Sequence, residues 1–290
     1  MFPILETKEI AKNVFLQKIQ APRVAKKRKA GQFLVLRRTE DGERIPLTIV
    51  SSDAVEGSVT IIFQAVGKST TEFAKMKTGD AYLDVVGPLG LATHIEKFGT
   101  VVGIGGGIGA APLLPIATAI KEAGNRLLSI VGARTKDLLI LEEYMRAVSD
   151  EIVVTTDDGS YATKGFVTTA LQEFVDRGEK IGLCIAIGPV PMMRAVAEVT
   201  RPHGIRTMVS LNPIMVDATG MCGACRVTVG GTTKFVCVDG PEFDGHQVDF
   251  KELVMRNRAY LREEKTAMER IEHKDGKCMG GAVAPAGGGN

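Results

Sequence analysis

Asp217, Cys222, Cys225 and Cys237 stand at the spacing D-x4-C-x2-C-x11-C, in the stretch VDATGMCGACRVTVGGTTKFVC. Thiolates gathered in so short a span repel one another unless a metal takes up their charge, so the spacing marks a metal site. It follows the plant-type [2Fe–2S] pattern C-x4-C-x2-C…C with a carboxylate in the first position. Gly220 and Gly223 let the chain curl around an inorganic core and leave amides free for its sulfides. Arg226 is placed to compensate charge. A zinc site of three cysteines and one aspartate stays open, although zinc knuckles come as two pairs and only Cys222 and Cys225 form one here. A disulfide fits less well in a chain of five cysteines with no secretory signal. Asp217 is the fourth ligand, or a water takes that place, or Asp217 only caps a turn. An iron–sulfur core moves single electrons, so the remaining sequence is read for what supplies them.

At 290 residues and 44% hydrophobic, the chain has room for about two domains with proper cores. A net charge of +2 gives no case for nucleic acid or an anionic membrane as partner. No apolar run reaches the roughly 20 residues of a membrane span. The N-terminal MFPILETKEIAKNVF lacks the basic-then-apolar layout of a signal peptide, so the expectation is a cytoplasmic protein. Residues 1–97 read as short strands (VFLQKIQ, FLVLRR, IPLTIV, SVTIIFQAV, AYLDVVG) split by turn signals, with one helix at Thr71–Met76. That pattern predicts a small β-barrel. Residues 98–208 alternate apolar runs with helices, the signature of a parallel sheet covered on both faces. Residues 209–250 form the cluster module. Residues 251–290 read as a charged helix followed by a disordered, glycine- and alanine-rich tail. Phe250, Leu253, Val254 and Leu261 are the apolar contacts expected of the helical stretch, which is taken to begin at about residue 249.

The segment VVGIGGGIGAAPLLPIA follows a strand and opens a helix. Its glycines admit a pyrophosphate close to the backbone, and the helix start offers free N–H groups. Gly105, Gly107 and Ala110 satisfy G-x-G-x-x-A, but the acid expected about 20 residues later is missing, which argues against an ordinary Rossmann dehydrogenase. Gly107, Gly109 and Pro112 instead satisfy G-x-G-x-x-P, and Pro112 suits a first helical turn. Further candidates sit after the later strands: Arg134 and Thr135, then Asp157, Asp158 and Gly159, then Gly188, Pro189 and Met192. The carboxyl ends of parallel strands are where open α/β sheets bind ligands. Asp157-Asp158-Gly159 also reads as a plain turn.

A barrel, this loop, the segment IGPVPMM and a cysteine module together resemble the ferredoxin-reductase-like flavoproteins. The resemblance covers residues 1 to about 250 and is to the branch that holds dihydroorotate dehydrogenase electron-transfer subunits and the small subunits of NADH-dependent ferredoxin:NADP⁺ oxidoreductases. An aspartate at the first cluster position is similar to the latter. The resemblance implies FAD on the barrel, NAD(H) on the α/β domain and a [2Fe–2S] cluster. Its FAD strand, R-x-Y-[ST], is matched by ERIPLTI: Thr48 takes the hydroxyl place near flavin N5 and Leu47 the aromatic place. Pro46 lies between, and Arg44 stands one residue upstream of the motif's arginine. Its second FAD element is matched by Gly67, Lys68, Ser69 and Thr70, which also read as a solvated turn. Arg134 suits a 2′-phosphate, so NAD and NADP both stay open on the residues, and the resemblance favours NADH. The implied role is an electron-transfer subunit in an electron-bifurcating complex. Its implied partner is a larger flavin and [4Fe–4S] subunit that binds NADP(H) and passes electrons to ferredoxin. A dihydroorotate dehydrogenase subunit is the alternative within the family. A zinc-stabilised nucleotide-sensing regulator is the alternative outside it. Cys184 reads as core packing, Cys278 as a free thiol, and His94, His203, His246 and His273 as isolated surface residues. No side chain is assigned a catalytic role, because the cofactors carry the chemistry.

Overall fold

The computed structural model describes residues 1–274. The expected tail with Cys278, and the side chain of His273, lie outside what is described. Seven strands and two short helices come first: β1 (Phe2–Ala11), β2 (Val14–Gln20), α1 (Pro22–Lys27), β3 (Phe33–Arg37), β4 (Ile45–Asp53), β5 (Ser58–Gln64), α2 (Lys68–Ala74), β6 (Ala81–Tyr82) and β7 (Asp84–Leu89). The strands pair antiparallel in the order β6-β1-β2-β5-β4-β3-β7. Alternate residues face inward: Ile19, Leu34, Leu36, Ile49, Ile61 and Phe63 make one core with Phe73 and Tyr82. The strand β1 is an addition to those the sequence singles out. The helix α2 starts three residues before the expected Thr71, because the Thr70 hydroxyl accepts the Val66 and Gly67 N–H groups at 3.1 Å and closes the turn earlier.

The second half holds β8 (Thr100–Gly106), α3 (Ala110–Glu122), β9 (Arg126–Ala133), α4 (Glu142–Val148), β10 (Glu151–Thr156), β11 (Thr163–Lys164), α5 (Val167–Asp176), β12 (Ile181–Ile187), α6 (Val190–Thr200) and β13 (Thr207–Ser210). These strands are parallel, in the order β11-β10-β9-β8-β12-β13. The helices α3 and α4 cover one face, and α5 and α6 the other. With both faces buried, the strands need continuous apolar runs, which LLSIVGA and LCIAI supply.

After a long irregular loop come β14 (Arg226–Val229), β15 (Thr232–Phe235), α7 (Val236–Asp239), β16 (Glu242–Asp244), α8 (Phe250–Asn257) and α9 (Leu261–Lys274). The strand β16 pairs antiparallel with β13, Val209 opposite Phe243, so the cysteine region lends an edge strand to the parallel sheet. The expected single charged helix is two helices separated at Arg258–Tyr260. Phe250 and Leu253 are buried as expected, whereas Leu261 is 55% exposed at the start of α9. Among the described residues, no helix is long and apolar enough to cross a membrane.

Two outward faces of the barrel fix its place. Val14, Val50 and Ile62 join the core beneath α3. Phe33 and Val35 join the core on the other face of the parallel sheet, together with Val209, Val236 and Phe243.

Candidate functional site

The two barrel elements meet. The Glu43 carboxylate, just before β4, accepts a hydrogen bond from the Ser69 hydroxyl in the first turn of α2. Pro46 and Thr48 lie opposite Val35 and Phe33 on the adjacent strand and so share their outward face. Leu47 lies opposite Leu34 and packs on the barrel core, so the residue in the aromatic place is turned inward. Arg44 is exposed ahead of β4. Glu43 was not singled out from the sequence; its link to Ser69 spans 26 residues and leaves no local signal.

The nicotinamide candidates form a second group. A tight turn at Gly107–Gly109 joins β8 to α3, and Pro112 is the third residue of α3, where its missing N–H costs nothing. A Cβ on Gly109 would lie 2.1 Å from the Ile187 carbonyl oxygen, so only glycine lets this turn close on the end of β12. On the other side, a Cβ on Gly106 would meet Met192 Sδ at 2.3 Å and Pro189 Cδ at 3.2 Å. The loops after β8 and β12 are therefore in van der Waals contact. They bring Gly107, Gly109, Gly188, Pro189 and Met192 to one place, and they add Gly106 to the set.

The ends of β9 and β10 are joined by backbone hydrogen bonds, Asp157 N–H to Ala133 O at 3.0 Å and Asp158 N–H to Arg134 O at 3.2 Å. The Asp158 carboxylate accepts from Ser160, whose hydrogen bonds hold it below the usual carboxylate range. Gly159 has φ +77°, and its N–H closes a turn on Thr156 O at 3.1 Å. Thr135 donates to the Asp137 carboxylate. Arg134 is exposed and makes no ion pair among the described residues.

In the cysteine loop, Cys225 and Cys237 are buried with their Sγ atoms 3.3 Å apart. Burial, reinforced by the neighbouring Cys225, pushes the Cys237 thiol up to about 12, while a Gly220 backbone hydrogen bond acts the other way. Cys222 is exposed at the rim. The Asp217 carboxylate accepts the Thr219 N–H at 2.9 Å and the Cys222 N–H at 3.1 Å, and these bonds hold its pKa down. It thus closes the loop. Two arginines cap the loop's carbonyls: Arg226 Nη1 donates to Gly223 O and Arg256 Nη2 to Ala224 O, both at 3.0 Å. Arg256, from α8, was not expected, and its buried Nε has no partner. The structure brings Cys225 and Cys237 together. Among the described residues, no three of the His, Cys, Asp and Glu side chains converge as a metal site. Paired buried thiols, left-handed glycines at 220 and 223, and two arginines on the loop carbonyls nevertheless fit the surroundings of an anionic iron–sulfur core, with Cys225 and Cys237 as two of its donors.

Cys184 is fully buried in β12, as expected. His94 and His203 are on the surface, but His94 is not isolated: its Nε2 lies 3.2 Å from the Glu96 carboxylate and its ring meets Phe98 edge-on. His246 is not isolated: its Nε2 lies 2.9 Å from the Thr200 hydroxyl, which also accepts from Thr207 at 2.7 Å.

A barrel joined to a parallel nucleotide-binding sheet, with a cysteine loop at its edge, is the ferredoxin-reductase-like architecture of oxidoreductases. The Neisseria gonorrhoeae ferredoxin NADP⁺ reductase, with bound FAD and NADP, shares that fold over 70% of this chain and 90% of its own at a TM-score of 0.58 and 18% identity. Residues 212–249 match the model of the iron–sulfur cluster binding domain of dihydroorotate dehydrogenase B. A Thermotoga maritima dihydroorotate dehydrogenase B (NAD⁺) electron transfer subunit homolog is 49% identical over 92% of this chain and 94% of its own length. The Bacillus mycoides electron transfer subunit itself is 32% identical over 83% of this chain and 94% of its own. The chain belongs to the family of dihydroorotate dehydrogenase B electron transfer subunits and their homologues. A chain in the structure of the NADH-dependent reduced ferredoxin-NADP oxidoreductase, described for flavin-based electron bifurcation, superposes with a TM-score of 0.89. It is 47% identical and covers 93% of this chain and 98% of that one.

Proposed function

We propose that this chain is the electron-transfer subunit of an electron-bifurcating NADH-dependent ferredoxin:NADP⁺ oxidoreductase and works with NAD(H), FAD and a [2Fe–2S] cluster. One observation carries the reading: the outward face of β3, beside Pro46 and Thr48 of the candidate flavin strand, lies in the same hydrophobic core as Cys225 and Cys237. Bound FAD would supply the conversion between electron pairs and single electrons, and a cluster held by the cysteine loop would supply a one-electron centre. The chain's own residues hold and orient. Thr48 presents a hydroxyl at the flavin ring, while Arg44 and the Gly67–Thr70 turn take its phosphates. Gly107, Gly109 and Pro112 shape the pyrophosphate turn of the nicotinamide nucleotide. Arg134, Thr135 and Asp157–Gly159 border its adenosine side, and Gly188, Pro189 and Met192 its nicotinamide side. Asp217, Cys222, Cys225 and Cys237 hold the iron. The partner is a larger subunit with a flavin and [4Fe–4S] centres that binds NADP(H) and hands electrons to ferredoxin.

The match to the Bacillus subunit supports a second reading, in which the same internal chemistry serves a dihydroorotate-oxidising partner. Anaerobic purification with quantitation of flavin, iron and the co-eluting subunit separates the two. The expected result is an NADP(H)-binding flavoprotein alongside and, once the two subunits are separated, one FAD and two irons on this chain. A colourless protein with stoichiometric zinc refutes both. Asp217→Cys is expected to keep a cluster with an altered EPR spectrum and a shifted potential; an unchanged spectrum and potential would remove Asp217 from the ligand set.

A further inference from the structure

The strand carrying Thr48 does not run straight. It pairs Ile49 with Ile61 of β5 and then Ser51 with Thr60, so Val50 is an extra residue opposite a single step of its partner. This is a β-bulge, a device that bends a strand and re-aims its side chains. Val50, 7% exposed, extends into the core beneath α3. Val50, Ser51 and Thr60 together line a cleft of about 1070 Å³ between the barrel and the helices α3 and α4.

A bulge takes backbone groups off the ladder, and each then needs another partner. The Val50 carbonyl finds Arg28, whose Nη2 donates to it at 2.9 Å. Arg28 follows α1 directly, and its guanidinium is poorly placed for an ordinary surface arginine. It is half-buried, and burial lowers its pKa from the ordinary value. Its Nε is buried with no partner, and it makes no ion pair among the described residues. Desolvating a cation without a counter-ion is unfavourable. The arrangement yields one charge-assisted hydrogen bond, and that bond falls on the bulge.

The bulge joins an element of one candidate site to an element of the other: β4, which carries Thr48, and α3. Thr48 is two residues upstream on β4. The helix α3, on which Val50 packs, begins directly after the Gly107–Gly109 turn. We infer that Arg28 is a positioning residue. By holding the Val50 carbonyl it fixes the bulge, and the bulge sets the distance and angle between the flavin strand and the nicotinamide helix. The inference rests on the assignment of those two elements proposed above. On this inference Arg28 acts through the backbone, by way of the Val50 carbonyl.

The test is anaerobic stopped-flow mixing of the purified full-length holoprotein with NADH, for wild type, Arg28→Gln and Arg28→Lys. The readouts are the long-wavelength nicotinamide–flavin charge-transfer absorbance and the rate of flavin bleaching at saturating NADH. In Arg28→Gln the charge-transfer absorbance is expected to fall by about half or more. The rate should drop roughly tenfold to a hundredfold, the scale of a misplacement near 1 Å. FAD content, iron content and NADH Kd should stay within about twofold, because the contacts to each cofactor are intact. Arg28→Lys keeps the charge and one donating nitrogen but not the planar guanidinium, and should fall between. Should Arg28→Gln fail to fold, Val50→Ala keeps the arginine, empties the contact with α3 and should lower the same absorbance. Full absorbance and rate in folded Arg28→Gln, or in Arg28→Lys and Val50→Ala together, overturn the inference alone. A wild-type chain that binds no FAD overturns the site assignment and the inference with it.

Discussion

At the scale of single residues, two glycines in one turn are held by different physics. Gly107 has φ +55° and open space where a Cβ would go, so Gly107→Ala meets only the left-handed backbone penalty of about 1–2 kcal/mol. Gly109 has ordinary helical backbone angles, but its Cβ would overlap the Ile187 carbonyl. Gly109→Ala must push the ends of β8 and β12 apart, at a cost of about 1–3 kcal/mol, and should also weaken NADH binding. Urea midpoints of the two variants check the contrast, and wild-type NADH affinity in Gly109→Ala would contradict the tight-turn role of Gly109. Cys184 gives a pH test. Burial pushes its thiol up to about 12, against about 8.5 in an unfolded chain. The unfolded state therefore loses its proton first. The contribution is fully present below about pH 8.5 and declines as pH rises toward 12, by up to about 1.4 kcal/mol per unit. Cys184→Val removes the titrating group, so urea unfolding between pH 8 and pH 10.5 should show a shallower alkaline decline in the variant. Parallel declines would mean that Cys184 contributes nothing to it.

At the scale of elements, the short helix α8 does more than close the chain. Its N-cap, Asp249, accepts the N–H groups of Lys251 and Glu252 at 3.0 Å. From that anchored start the helix presents Glu252 to the Thr228 N–H of the β14 hairpin and Arg256 to the Ala224 carbonyl of the cysteine loop. Asp249→Ala should cost about 1 kcal/mol of stability and speed iron loss to a chelator. Unaltered chelation kinetics in a destabilised variant would separate the helix from the loop. The cysteine spacing and the glycine turn were legible in the sequence because each is a local pattern with its own chemistry. The buried parallel strands were legible because burial on both faces demands apolar runs. Other parts had no local trace. The strand β1 buries little beyond Ile4 and displays Glu6 and Lys8, so its sequence looks like a solvated terminus. The helix α1 is six residues long and carries three basic side chains. The pairing of β16 with β13, and the grip of Arg28 and Arg256 on distant carbonyls, arise only when the chain is folded. The break between α8 and α9 was hidden because a charged sequence of helical propensity continues through it.

At the scale of the whole molecule, the two faces of the cysteine loop differ in a way that bears on electron exit. The inner face is covered: Cys225 and Cys237 lie in the core that reaches the β3 face of the barrel. The outer face is bare and apolar. Met221 is 88% exposed beside the exposed Cys222, with Val216 and Val238 close in sequence or space, and Val238 packs over Gly220. Large exposed apolar side chains grouped on one loop mark an interaction surface. In the proposed function that surface meets the larger subunit, and the burial of a flexible thioether is what makes contact there favourable. Met221→Asp places a charge in the centre of this contact. It should weaken the complex at least about tenfold, or about 1.4 kcal/mol, and leave the EPR spectrum of the isolated subunit unaltered because residue 221 supplies no ligand. Analytical ultracentrifugation of the variant with its co-purified partner, alongside EPR of the free chain, measures both. A complex of unchanged affinity would place the partner on another face and the electron exit elsewhere than Cys222.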